Sequence, residues 1–162
     1  MADEVKQRNM TSLYLYRDGK YLLLKRKGSR VVNDVWIGSA GGHLEQSELN
    51  EAQAGVLREL EEELGLTAGD IADLNLRYIT LRNTAGEVRV NYYFFAELKN
   101  CDKELCSNEG ELAWYGAEEL SELEMPFTAK FVVEHYIEKG QYDAELYGGV
   151  ADGIRVVFTP MS

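Results

Sequence analysis

Three glutamates, Glu59, Glu62 and Glu63, are spaced so that a helix would bring them to one side. A helix turns by about 100° per residue, which puts Glu62 at about 300° and Glu63 at about 40° from Glu59. Carboxylates at these spacings repel one another by a few tenths of a kcal/mol per pair. Such crowding is typical either of a solvated acidic face or of a site for a hard cation such as Mg²⁺, which prefers carboxylate oxygens.

The opposite side of the same helix carries three leucines that can anchor it in a core: Leu57, Leu60 and Leu64. Gly65 follows and supplies the left-handed residue that commonly ends a helix. Arg58 stands beside Glu59, and the paired glycines Gly41 and Gly42 precede the helix and allow a close approach of backbone to a ligand. These neighbours favour the cation site over the solvated face.

The string RELEEELGL at residues 58–66 resembles the second half of the box of the Nudix hydrolase family, REUxEExGU, where U is aliphatic. The first half of that box is a glycine and a glutamate separated by five residues, and it matches Gly42 and Glu48. Nine residues rather than seven then separate Glu48 from Arg58, so the entry loop is stretched by two residues. The resemblance covers residues 41–66 and is strongest in the glutamate-bearing half.

This resemblance implies a fold, a reaction and a cofactor. The fold is an α/β/α sandwich with a mixed sheet between helices. The reaction is the hydrolysis of a nucleoside diphosphate linked to another group X, with Mg²⁺ as cofactor and Mn²⁺ as the alternative. In-line attack of water on phosphorus requires neutralisation of developing charge and precise positioning of the water.

The resemblance also implies roles for the box residues. Glu62 and Glu63 would bind the metal, and Glu59 would share in ligation or orient and deprotonate the water. Arg58 would hold Glu59 through a charge-assisted hydrogen bond rather than contact the substrate. A backbone carbonyl of Gly42, or of Gly41, would join the metal shell. An acid from outside the box completes the expected set of ligands, and the candidates are Glu109 and Glu111, with solvated loop acids as the alternative.

Substrate contacts are expected on both sides of the box. Lys25 and Arg26 end a basic strand and are candidate phosphate contacts, with solvated charges as the alternative. His43 occupies a place where relatives often have a basic residue, although an exposed loop imidazole is the plainer interpretation. Base recognition needs aromatic or polar side chains, for which Trp36 is the main candidate and Tyr92 and Trp114 are further ones, unless these rings belong to the core.

Hydrophobic patterns predict the elements that position these residues. Strands are predicted over residues 10–17, 20–27, 36–42, 74–82, 87–98, 111–115 and 153–159. Helices are predicted over residues 118–123 and 127–139, and Asn50 is expected to cap the box helix. Without strict βαβ alternation, this order fits a sheet between helices. With 162 residues, 45% of them hydrophobic, one domain over residues 1–162 is expected.

The charge balance excludes several kinds of partner. A net charge of −11 leaves no basic patch for a nucleic-acid polymer or an anionic membrane, but it permits a small nucleotide substrate. No apolar run is long enough to cross a membrane, and the first ten residues lack the core of a signal peptide. A cytoplasmic location follows as an expectation, with Cys101 and Cys106 as free thiols. A homodimer is compatible with the sequence.

Three classes of function fit these features. The first is an active pyrophosphohydrolase that cuts a nucleoside triphosphate, such as oxidised dGTP, to monophosphate and pyrophosphate, by resemblance to small MutT-like enzymes. ADP-ribose and nucleotide sugars are the alternative substrates, although the proline that ADP-ribose hydrolases tend to carry soon after the box is absent. The second class is a nucleotide-sensing module without catalysis. The third is an acidic interaction protein, which leaves Arg58 and the glycines unexplained.

The stretched entry loop carries one further expectation. The two additional residues are expected within residues 47–50, where a polar turn can lengthen at little entropic cost. Glu48 would then lose its family position relative to the helix. It is expected to matter less for activity than Glu59, Glu62 or Glu63.

Overall fold

A computed structural model describes residues 4–27, 35–100 and 103–161 of the chain. These residues form a nine-stranded mixed sheet. Its strands are β1 (Lys6–Arg17), β2 (Lys20–Arg26), β3 (Trp36–Gly38), β4 (Ala40–His43), β5 (Ile71–Thr84), β6 (Glu87–Leu98), β7 (Gly110–Gly116), β8 (Tyr147–Ala151) and β9 (Val156–Pro160). Three α-helices accompany them: α1 (Ala52–Leu64), α2 (Ala117–Leu120) and α3 (Phe127–Glu138).

The sheet runs in the order β3-β2-β1-β6-β5-β8-β9, with β4 paired to β1 and β7 paired to β2. Strand β1 is parallel to β6, and β5 is parallel to β8, while the other pairs are antiparallel. Two hairpin turns follow the sequence signals, because Asp18-Gly19 and Ala85-Gly86 adopt the positive φ angles that such turns require.

Helix α1 covers one face of the sheet. Its apolar side buries Val56, Leu60 and Leu64 against inward residues of β1 and β6, among them Leu13 and Phe94. Gly65 ends the helix in the left-handed conformation, with φ 66°, and its N–H donates to the carbonyl of Glu61. The leucine side predicted from the sequence is therefore the side that anchors the helix.

Helix α3 covers the other face over an aromatic core. Val132, Val133 and Tyr136 pack against tyrosines and phenylalanines of the sheet, and the Phe95 and Tyr136 rings stack with their centres 3.7 Å apart. Adjacent residues Leu13 and Tyr14 of β1 belong to the two different cores, as the alternation of a strand requires. Helices on both faces of a mixed sheet confirm the α/β/α sandwich.

Several predicted boundaries are wrong for local reasons. The strand expected over residues 36–42 is broken at Ser39, whose buried hydroxyl donates to the Leu22 carbonyl and accepts from the Leu15 N–H. The final strand expected over residues 153–159 is a hairpin of β8 and β9, and the glycines of β8 hid its first strand. Helix α1 is capped at Glu51 rather than Asn50.

Two remaining features concern the sequence expectations. No helix in the described part of the chain is long and apolar enough to cross a membrane. Cys106 is an exposed free thiol, whereas Cys101 lies outside the described residues.

Candidate active site

The guanidinium of Arg58 is the centre of the site that α1 builds. It donates to both carboxylate oxygens of Glu48 at 2.9 Å, to Glu59 at 3.0 Å and to Glu62 at 3.1 Å. It also donates to the backbone carbonyl of His43 at 3.1 Å. These contacts raise the pKa of Arg58, with Glu48 as the main cause, so its charge is permanent. Arg58 therefore holds Glu59 as expected, and it holds two other glutamates as well.

Glu48 keeps its place beside the helix, which corrects the expectation that the stretched loop would displace it. Glu48 is buried with 7% exposure. Its carboxylate forms the bidentate pair with Arg58 and accepts the Glu45 N–H at 2.8 Å. A short 3₁₀ turn at Gln46–Glu48 and the irregular residues 49–51 accommodate the additional length before α1 begins. The Arg58 bond lowers the pKa of Glu48.

Glu63 points toward the paired glycines rather than toward Arg58. Its carboxylate accepts the Gly41 N–H at 3.2 Å. Burial raises its pKa to about 7, and the charges of Glu59 and Glu109 add to that effect, while the Gly41 bond and Arg26 oppose it. A carboxylate held in this state is short of positive charge, which a bound cation would supply.

The glycine pair is shaped around these carboxylates and the neighbouring strand. A Cβ at Gly42 would lie 2.6 Å from a carboxylate oxygen of Glu59. A Cβ at Gly41, where φ is 154°, would lie 2.2 Å from the carbonyl oxygen of Thr11. A larger residue is excluded at Gly41, where the obstruction is backbone. At Gly42 it would displace the Glu59 carboxylate, because the backbone of Gly42 lies directly against that group.

The carboxylates of Glu59, Glu62 and Glu63 are suitable ligands for a hard divalent cation, but they do not converge on one point. In residues 4–27, 35–100 and 103–161, no three His, Cys, Asp or Glu side chains converge as a ready metal site. Glu59 and Glu62 are both engaged by Arg58, and Glu62 is largely exposed. Each of these two carboxylates meets Arg58 through only one of its oxygens, Oε1 of Glu59 and Oε2 of Glu62.

The two acids proposed from outside the box differ in position. The charge of Glu109 acts on Glu63 and raises its pKa, so Glu109 lies on the side of the site. Together with burial, the charge of Glu111 instead raises the pKa of Tyr115, and Glu111 is the cross-strand partner of Lys25. Of the two, Glu109 has the better position to join Glu63.

A cleft of about 230 Å³ opens from Glu63, Gly41 and Gly42 across the sheet toward the start of α3. Arg26 lines it, and its Nε is buried without a hydrogen-bond partner among the described residues. Of the other expected substrate contacts, His43 is exposed and contributes its carbonyl to Arg58.

Lys25 and Trp36 lie outside the lining of this cleft. The Trp36 ring packs edge-on against Tyr115, with centres 5.1 Å apart, and the Lys25 ammonium lies 5.9 Å from the Trp36 ring centre. Tyr92 and Trp114 pack on the core beneath α1. The geometry therefore does not support a phosphate contact at Lys25 or a base contact at Trp36. It supports a phosphate contact at Arg26.

The cleft also contains polar residues that the sequence analysis did not identify. They alternate along β5 and β6 on one face of the sheet: Thr80, Arg82, Arg89 and Asn91. The available signal was the recurrence of polar residues at every second position on both sides of the turn at residues 84–86. It needed the strand register to show that they meet.

An acidic helix, a glycine pair and a cleft lined by arginines on an α/β/α sandwich are the features expected from the resemblance to the Nudix hydrolase class. The chain matches the model of the NUDIX domain over residues 6–136. It belongs to the Nudix family and is a Nudix hydrolase, acting on phosphoric anhydride bonds. Nudix hydrolases act on small-molecule nucleotides and generally use divalent metal ions.

Solved structures agree with this fold. The MutT protein from Bacillus halodurans is 21% identical, with a TM-score of 0.67 over 95% of this chain and 97% of that chain. The MutT protein from Methanosarcina mazei Go1 is 21% identical, with a TM-score of 0.69 over 88% and 100%. A Nudix hydrolase from Nitrosomonas europaea is 18% identical, with a TM-score of 0.68 over 92% and 81%. A comparison with curated proteins found no match.

Proposed function

We propose that this protein is a metal-dependent pyrophosphohydrolase that cleaves a nucleoside triphosphate to a monophosphate and pyrophosphate, with oxidised dGTP among the candidates. The observation that carries the proposal is the position of Glu63 and the glycine pair at the mouth of a cleft lined by Arg26. A diphosphate there has carboxylates for its metal on one side and a guanidinium for its oxygens on the other.

Mg²⁺ is the proposed cofactor, with Mn²⁺ as the alternative, and when bound it would neutralise phosphate charge and lower the pKa of a water molecule. Glu59, Glu62 and Glu63 would hold it, with Glu109 and the Gly42 carbonyl as further ligands. Arg58 fixes the starting positions of Glu59 and Glu62, and Glu48 fixes Arg58. Glu59 would also orient the attacking water and receive its proton.

Three other predictions from the sequence accompany this proposal. We expect one domain over residues 1–162, a cytoplasmic location and, as a compatible assembly, a homodimer. A nucleotide-sensing module would share the fold and lack turnover, and an acidic interaction protein would lack tight metal binding as well.

The test is a substrate screen with Mg²⁺ that measures phosphate and pyrophosphate separately. Nucleoside triphosphates, dinucleoside polyphosphates, nucleotide sugars and ADP-ribose are compared by kcat/KM. We expect triphosphates to lead, with pyrophosphate as product. The highest kcat/KM for ADP-ribose would overturn the proposed substrate, and metal binding without any turnover would favour the sensing module.

A further inference from the structure

The far end of the cleft carries two arginines that the proposed hydrolysis does not use. Arg82 on β5 and Arg89 on β6 are direct partners in the strand register, and both line the cleft. Like charges directly opposite one another on neighbouring strands destabilise a sheet. The chain has 28 acidic residues against 17 Lys and Arg, so carboxylates to separate or neutralise such a pair are abundant.

The protein neutralises this arginine pair only in part. Arg89 contacts the Glu87 carboxylate at 3.3 Å, and Glu87 is shared with Arg8 at 3.7 Å. The Arg82 guanidinium lies 4.8 Å from the ring centre of Phe127. Within the part of the chain that the structure describes, no carboxylate lies within ion-pair distance of Arg82. The ring orients this guanidinium without removing its charge.

The space between the arginines and the glycine pair has the dimensions and polarity for a nucleoside. Gly42 and Arg89 are three residues apart along the strands and two strands apart across the sheet, which is roughly 14 Å between Cα atoms. The long arginine side chain shortens that gap. Thr80 and Asn91, also direct partners, line the space between the two ends. The Ser12 hydroxyl donates to Asn91 Oδ1 at 3.4 Å, and the Tyr93 hydroxyl bonds to both residues, so the floor of this space is polar.

We propose that Arg82 and Arg89 bind a second anionic group of the substrate, a phosphate on the nucleotide sugar. The substrate class is then a nucleoside 5′-di- or triphosphate compound that carries a further phosphate on its 2′ or 3′ oxygen. This narrows the proposed triphosphates and excludes oxidised dGTP, which has no such phosphate. This inference rests on the proposed function, because the 5′ diphosphate is taken to lie at the α1 glutamates. Guanidinium groups donate only, and their planar fork matches the oxygens of a phosphate.

The test is equilibrium binding measured by calorimetry, which needs no turnover. AMP is compared with adenosine 2′,5′-bisphosphate and adenosine 3′,5′-bisphosphate, each with Mg²⁺. We expect one bisphosphate to bind at least about tenfold more tightly than AMP, as charge-assisted hydrogen bonds predict. Arg82→Gln and Arg89→Gln should each remove most of that advantage and leave the Kd for AMP unchanged. Arg17→Gln, which removes the same charge from a side chain that lies over Trp114 outside the cleft, should retain it.

Equal binding of AMP and both bisphosphates to the unmodified protein would overturn the inference, and so would an advantage that survives in both variants. GMP is included because a guanidinium can also donate to the O6 and N7 atoms of guanine. A preference for GMP over AMP that the variants lose, without any bisphosphate effect, would contradict the phosphate assignment. Thermal melts check that each variant folds.

The binding result and the substrate screen fail independently. Bisphosphate binding that depends on the two arginines, in a protein that hydrolyses no diphosphate compound, would refute the hydrolase and keep the anion site. Turnover of nucleotides without any bisphosphate preference would refute the anion site and keep the hydrolase.

Discussion

Two arginines in this molecule, Arg58 and Arg77, are each surrounded by oxygen atoms. The two clusters differ in net charge. Arg77 is buried with 8% exposure and donates to one carboxylate, that of Asp143, and to the carbonyls of Gly140, Asp143 and Glu145. Arg58 donates to three carboxylates within 3.1 Å and to one carbonyl. Counted over hydrogen-bonded groups, the Arg77 cluster is neutral, whereas the Arg58 cluster has an excess of two negative charges before Glu63 and the more distant Glu45 are counted.

The Arg77 cluster is also densely hydrogen-bonded. The Asp143 carboxylate accepts from Arg77, from the Glu145 N–H and from the Tyr147 hydroxyl. The hydroxyl bond with Asp143 raises the pKa of Tyr147 to about 12, so the tyrosine stays a donor. Beside it, the Tyr78 hydroxyl bonds to Nδ1 of His135, and burial lowers the pKa of this histidine, which keeps it neutral. This network joins β5 to the end of α3.

This difference indicates how a structural cluster and a functional one can be told apart. A structural cluster balances its charge, because an unpaired buried charge costs several kcal/mol. The Arg58 cluster tolerates an excess that a divalent cation would cancel, and the excess is the reason to expect one. Substitutions in the Arg58 cluster should therefore affect mainly turnover, and those in the Arg77 cluster mainly stability.

The largest expected effect is on turnover. Glu62→Gln removes one charge from the excess, so activity with Mg²⁺ should fall by roughly 10²–10³-fold. Because carboxylate repulsion is also relieved, the melting temperature without metal should hold or rise. Glu61→Gln is the matched control, since Glu61 is exposed on the same helix outside the glutamate face. Full activity of Glu62→Gln, or full activity in EDTA, would sink the metal hypothesis.

In the Arg77 cluster the expected effect is on stability alone. Arg77→Met leaves Asp143 without its ion-pair partner and three carbonyls without a donor, so the free energy of unfolding should fall by about 3 kcal/mol. The value of kcat below the transition should stay near that of the unmodified protein. Urea unfolding measures the first quantity and initial rates the second, with Arg155→Met as an exposed control. A large loss of kcat in the folded variant would mean that this cluster also acts on the site.

Glu48 combines features of both clusters, because it is buried like Arg77 yet supports the glutamates through Arg58. Glu48→Ala should lower kcat by about tenfold, as substitutions behind metal ligands do, and lower the unfolding free energy by about 2 kcal/mol. The loss of activity should still be smaller than for Glu59, Glu62 or Glu63. Glu45→Ala is the control, because its exposed carboxylate lies 3.7 Å from Arg58. Equal sensitivity of Glu48 and Glu62 would contradict this ranking.

The sequence predicts the Arg58 cluster far better than the Arg77 cluster, and the reason is distance along the chain. Arg58, Glu59, Glu62 and Glu63 lie on one helix, so helical spacing alone brings them together. Arg77 meets Asp143 across 66 residues, through a parallel pairing of β5 with β8 that the glycines of β8 conceal.

The cleft shows the same limit. Arg82 and Arg89 meet next to the Ala85-Gly86 turn, where the β5–β6 register is regular. Their place in one cleft with Gly41 and Gly42, however, depends on the long-range pairing of β1 with β4 and β6. The predicted displacement of Glu48 was wrong, because a residue count cannot show that the turn before α1 accommodates two additional residues without moving Glu48. Local periodicity was enough to predict the strands and helices, but not the long-range pairing that completes the site.

The smallest expected effect is the pH dependence of stability contributed by Glu63. Its pKa in the folded protein is about 7, above the ordinary value of 4.5. Below pH 4.5 both the folded and the unfolded protein hold the proton, and this group contributes nothing. Between pH 4.5 and 7 the unfolded protein gives up the proton first, so stability falls as pH rises, and above pH 7 the whole penalty applies.

Glu63→Gln removes this penalty, so in EDTA the variant should match the unmodified protein at pH 4 and exceed it by about 1–2 kcal/mol at pH 8. Urea unfolding at the two pH values measures the difference, and Glu61→Gln should show no such change. Mg²⁺ should reverse the order at pH 8, because the ionised Glu63 binds the cation and glutamine does not. A variant that is less stable than the unmodified protein at pH 8 in EDTA would show that the Glu63 carboxylate is satisfied by the protein alone. The Arg58 cluster would then differ from the Arg77 cluster in net charge, but that excess of negative charge would not imply a bound metal.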